Sequence, residues 1–187
     1  TGAVVIGDAL RIRENHLEGI RSNDDIIIDP AGTGNVLIPT DKITLGTNAA
    51  AGTEGVAIGK GTSGVGTGGV AVGLNAGNSS QGSHTVAVGE QAGETSQSVY
   101  AVAVGMQAGE TSQGATGVAI GYSAGKTNQG ADAVAIGQNA GLTGQGDYGI
   151  GIGEFAGSTN QGTNAIAIGE AAGKTDQAAN SIVLNAS

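Results

Sequence analysis

The chain has 187 residues, of which 37 are glycine and only Tyr100, Tyr122, Tyr148 and Phe155 are aromatic, so a core of large side chains is excluded. Apolar content comes mainly from Ala, Val and Ile, short or β-branched residues that favour pleated strands over helices. A formal charge of -9, from 7 Lys plus Arg against 16 Asp plus Glu, offers no basic stripe to nucleic acid, and with no cysteine there are no disulfides, thiolate nucleophiles or thiolate zinc sites.

Residues 1–55 read as a distinct all-β connector segment that holds both prolines and most of the arginine. Leu10 to Gly19 (LRIRENHLEG), Asp25 to Pro39 (DIIIDPAGTGNVLIP) and Lys42 to Gly46 (KITLG) are expected as short strands separated by turns, with the boundary near Ala49 to Gly55. No apolar run approaches the roughly 20 residues of a membrane helix, so membrane insertion is not expected. A start at Thr1 without Met, and a stop part-way into a further repeat, read as a processed product or a fragment.

From residue 56 the chain is an array. The tetrapeptide V/I-A/G-V/I-G begins at Val56, Val70, Val86, Val102, Val118, Val134, Ile150 and Ile166, in one step of 14 and six of 16, and Ile182 opens a partial unit. Residues 56–187 are thus one 14-residue coil, seven 16-residue coils and a fragment. The unit is V/I-A-V/I-G-x-x-A-G-x-T-x-Q-G-x-x-A, and its apolar alternation spans three residues before glycine breaks it, which predicts one strand per unit. Sixteen residues are too few for a helix-pair repeat and suit a parallel β-solenoid, whose coils stack at about 4.8 Å. Glycines at positions four and eight predict two corners, and Thr at position ten and Gln at twelve predict hydrogen-bonded ladders.

Positions one and three of the strand share a face opposite position two. The bulkier set, Val86, Val88, Val102, Val104, Val118, Ile120, Val134, Ile136, Ile166 and Ile168, is expected as the coil core. The alanine column Ala71, Ala87, Ala103, Ala119, Ala135 and Ala167 is expected to pack around the axis of a homotrimer, because so thin a coil is marginal alone.

Motifs that suggest chemistry fail on spacing. Gly121 to Thr127 (GYSAGKT) and Gly169 to Thr175 (GEAAGKT) place three residues between glycines where a phosphate loop has four, and a strand follows instead of a helix. Gly64, Gly66 and Gly69 match GxGxxG with the same missing helix. His16 and His84 have no paired carboxylate or serine, and Asp132, Asp147 and Asp176 occupy three different repeat positions, which makes no metal column. No catalytic residue, metal or cofactor is assigned. Exposed Tyr100, Met106, Tyr122, Tyr148 and Phe155 are the candidate receptor contacts.

The repeated VAIGxxAG resembles the head repeats of trimeric autotransporter adhesins, which implies a left-handed parallel β-roll, intertwined or packed as a homotrimer. Ser22 to Pro39 (SNDDIIIDPAGTGNVLIP) is similar to a repeat of bacteriophage tail-fibre and other virion structural proteins. Together these resemblances imply a structural and adhesive fibre, not an enzyme, on a virion surface or otherwise extracellular. Its partners would be further copies of itself, other virion or surface-fibre proteins at its ends, and a host glycan or protein. A bacterial surface adhesin head and an ice-binding solenoid with a Thr ladder are the alternatives.

Overall fold

The computed structural model describes residues 10–13, 16–19, 43–46 and 48–185, in two units, Thr1–Pro39 and Thr40–Ser187. In the first, Leu10–Arg13 and His16–Gly19 pair antiparallel, with Leu10 opposite Gly19 and Arg13 opposite His16. The segment from Asp25 to Pro39 lies outside the described residues.

The second unit is an all-β parallel solenoid of about eight coils, with no helix among the described residues. Ten strands form one parallel sheet running from Ile43–Leu45 to Ile182–Leu184. Equivalent residues stand in register: Ala119 pairs with Ala103 on one side and Ala135 on the other. The array begins earlier than the expected boundary near Ala49 to Gly55, because Ile43–Leu45 pairs in parallel with Val56–Ile58. That first rung is hidden in the sequence by Thr44 in the alanine position and by a shorter step to Val56.

Each central coil also has two strands where one was expected. Thr95–Gln97, Thr111–Gln113, Thr127–Gln129 and Thr143–Gln145 form a second parallel sheet, extended by the isolated bridges Ser79 to Thr95, Thr143 to Thr159 and Thr159 to Thr175. The middle residue of each strand sits at positive φ, +58° at Ser96 and +56° at Asn128, so Thr and Gln point to opposite sides without apolar alternation.

The expected orientation of the first strand is reversed. Ala71, Ala87, Ala103, Ala119, Ala135 and Ala167 are at most 1% exposed within one chain and line the coil interior, so they are not an axis-packing surface. Val86, Val88, Val102, Val104, Val118, Val134, Ile136 and Ile166 are only half-buried, and Ile120 and Ile168 are exposed, so these side chains face outward and are not the coil core. The reason is space: a β-carbon built on Gly125 would stand 3.1 Å from the Ala119 methyl, which leaves no room for a Val or Ile at that position.

Two glycine columns make so thin a coil possible. At position four, Gly121 has φ of +127° and an added β-carbon would lie 2.8 Å from the Gly137 carbonyl oxygen of the next rung. At position eight, Gly125 has φ of +53°, and an added β-carbon would lie 2.7 Å from Gln129 Oε1.

That glutamine fills the interior. Gln97, Gln113, Gln129, Gln145 and Gln161 are at most 2% exposed, and Gln81 and Gln177 are also buried. Gln129 Nε2 donates to the Val118 carbonyl at 2.9 Å and the Ala133 carbonyl at 3.3 Å, joining the two strands of one coil. It also donates to Gln145 Oε1 at 3.2 Å, and Gln145 and Gln161 continue the ladder to Gln177. The expected Gln ladder is therefore present in the later coils, inside the coil. A buried amide is tolerated because its N-H groups meet backbone carbonyl oxygens, each able to accept twice: Ala133 takes both Val118 N and Gln129 Nε2.

Candidate functional site

With the interior filled by Ala and Gln, any contact chemistry lies on outward columns. Three of these are distinctive: the Val/Ile face of the large sheet, and the corners before and after it at repeat positions fifteen and five.

The Val/Ile face is apolar over the whole stack. Ile58, Ile120, Ile152 and Ile168 are between 36% and 41% exposed, and the valines between them are half-buried. Parallel pairing with strictly equivalent partners makes each column continuous from rung to rung.

The five candidate receptor contacts do not converge on one patch. Met106 and Tyr122 are exposed neighbours at position five of adjacent coils. Phe155 is half-buried at position six, with the Lys174 ammonium 4.6 Å from its ring centre, so one face of that ring is already occupied. Tyr100 and Tyr148 are 60% and 58% exposed at position fifteen, in the column His84, Tyr100, Thr116, Asp132, Tyr148, Asn164, Asn180.

A backbone ladder holds the position-fifteen column in register. Tyr100 N donates to the Ser83 carbonyl at 3.1 Å, Thr116 N to Val99 at 3.0 Å, and Asp132 N and Tyr148 N to Ala115 and Ala131 at 2.9 Å. All seven residues have positive φ, including +61° at Tyr100, +56° at Thr116 and +58° at Tyr148. Asn and Asp adopt that conformation at lower cost than tyrosine or a β-branched residue.

Side chains along this corner also interact. The rings of His84 and Tyr100 stack 5.5 Å apart and 5° from parallel, so His84 is not the isolated residue that its sequence surroundings suggest. The Thr116 hydroxyl donates to the Asp132 carboxylate, and Asn164 Nδ2 donates to Asn180 Oδ1 at 3.2 Å. A shallow depression lined by Ser80, Gly82, Ser96, Ser98 and Val99 opens where Ser98 replaces the glycine that fills position thirteen in most coils. In the repeat pattern this column is one of two unconstrained letters before the last Ala, so Tyr100 and Tyr148 stand out there singly and not as a column. Its signal was there in the absence of Ala and Gly from position fifteen in all seven complete units.

In the glycine-lysine-threonine motif, the glycine and threonine N-H groups and the lysine ammonium are engaged within the solenoid rather than converging on a phosphate site. Gly125 N donates to the Ala140 carbonyl at 2.9 Å and Thr127 N to Leu142 at 3.0 Å, while Lys126 Nζ pairs with Glu110 at 3.2 Å. Among the described residues no group of three or more His, Asp or Glu is placed to hold a metal, and no helix is long and apolar enough to cross a membrane. Comparison with protein-family models, curated proteins and solved structures finds no match to this chain.

Proposed function

We propose that the chain is a structural and adhesive fibre module of a virion, in which three copies associate into a stiff rod that contacts a host surface. The observation that carries this reading is the outward Val/Ile face: two β-branched side chains per coil, in columns that no other part of the chain covers among the described residues. Completing the burial of each such side chain contributes roughly 1 kcal/mol, about half its full transfer value, and the contribution repeats along the rod. Three copies that meet through these columns bury the face that the alanine column was expected to provide. Repetition then sets length, and the corner columns at positions five and fifteen remain for contact.

Light scattering tests the assembly. A mass of about three times 17.9 kDa is expected, and Ile120→Asp should shift it toward one copy while circular dichroism stays unchanged. A wild-type monomer overturns the reading. The same rod on a bacterial surface would give the same mass, and the two are told apart by labelling intact virions and cells with antibody. Thermal hysteresis in place of surface binding would favour an ice-ordering role for the Thr column instead.

A further inference from the structure

We infer that the corner column from Tyr100 to Tyr148 is a binding track for a neutral, unbranched polysaccharide lying along the coil stack. The inference rests on the fibre reading above and assigns its surface contact to particular residues and one ligand class.

The first reason is geometric. Tyr100 and Tyr148 are three coils apart, which at the rung spacing of about 4.8 Å separates them by about 14 Å, with Thr116 and Asp132 on the two rungs between. The order is therefore ring, hydroxyl, carboxylate, ring, fixed by a continuous backbone ladder. Sugar rings present C-H faces that lie on tyrosine, and their edge hydroxyls donate to a carboxylate. The Thr116 hydroxyl already donates to Asp132, which orients that carboxylate and leaves its remaining lone pairs for ligand hydroxyls.

The second reason is strain. Asp132, Asn164 and Asn180 show which residues fill this slot at low cost, yet Tyr100, Thr116 and Tyr148 hold the same left-handed conformation. A costly residue type at an exposed corner points to a use outside the fold. Stacking of His84 on Tyr100 supports that ring from the preceding rung.

Ligand class follows from charge and width. The chain's charge of -9 opposes acidic glycans, and the carboxylate at the centre of the track does so locally. A track one residue wide with polar rungs between its rings lacks the area and apolar centre that a protein partner needs. Met106, Tyr122 and Phe155 stand apart from this column, at repeat positions five and six.

Calorimetric titration with cello-, xylo-, manno- and N-acetylchito-oligosaccharides of increasing length tests the track. At least one series should bind, with affinity rising until the oligosaccharide spans both tyrosines and then levelling off. Tyr100→Ala and Tyr148→Ala should each weaken the longer ligands about tenfold, whereas Tyr122→Ala should change nothing. Asp132→Asn, which suits the left-handed slot, should weaken binding without disturbing the coil even if a tyrosine variant folds poorly. No binding in any series, binding indifferent to these substitutions, or preference for an acidic glycan overturns the inference. Mass measured on the same samples keeps the two proposals separate: a trimer that ignores all four series removes the track and leaves the fibre.

Discussion

The two strands of one coil solve the same packing problem with opposite chemistry. The Val/Ile strand turns its smallest side chain inward and its β-branched ones outward, whereas the Thr-x-Gln strand turns a long amide inward and a hydroxyl outward. Ala119 leaves the space that Gln129 crosses to reach the Val118 carbonyl, so each inward residue is intelligible only beside the other. Apolar residues lie inside only where the interior has volume for them; here a methyl and one amide exhaust it.

The largest way to break this pairing is to thicken the coil. Gly121→Ala places a β-carbon against the Gly137 carbonyl at a φ that other residues rarely adopt, and should cost about 3 kcal/mol or more in urea unfolding. A loss below about 1 kcal/mol would mean that the rungs have slack.

A finer test contrasts two members of the glutamine column. Gln145 donates to Val134, Gly149 and Gln161 and accepts from Gln129, whereas Gln113 donates only to Val102 and Gly117, and its Oε1 is buried without a partner. Gln145→Leu should therefore cost about 3 kcal/mol and Gln113→Leu about 1 kcal/mol less, measured in the same unfolding series. Equal losses would show that the amide-to-amide link adds nothing beyond the backbone contacts.

The smallest effect belongs to the outer surface. Lys126→Ala removes a partly exposed ion pair with Glu110 and should lower stability by less than about 1 kcal/mol, with the loss shrinking further in high salt. A larger, salt-insensitive loss would give that lysine a role that its variable repeat position does not suggest.

Repeat length, short strands and parallel stacking were legible from VAIG recurring every 16 residues, because periodicity alone dictates them. The Gln ladder was legible as recurrence and illegible as location. Thr-x-Gln could not be recognised as a strand, since its middle residue breaks the period-two pattern by adopting positive φ. Of the receptor candidates, Tyr100 and Tyr148 were visible as exposed aromatics. Their alignment with Thr116 and Asp132 emerged only with the register.

By itself, then, the sequence determined a coil, its length and which residues share a column. Alternation says that Val118 and Ile120 oppose Ala119, and it is silent on which side is inside, because both faces of a three-residue strand are apolar. The tertiary structure decided that question through the Gly125 corner and the Gln129 side chain, which approach so closely that only an alanine methyl fits between the sheets. The valine and isoleucine face was thereby left outside.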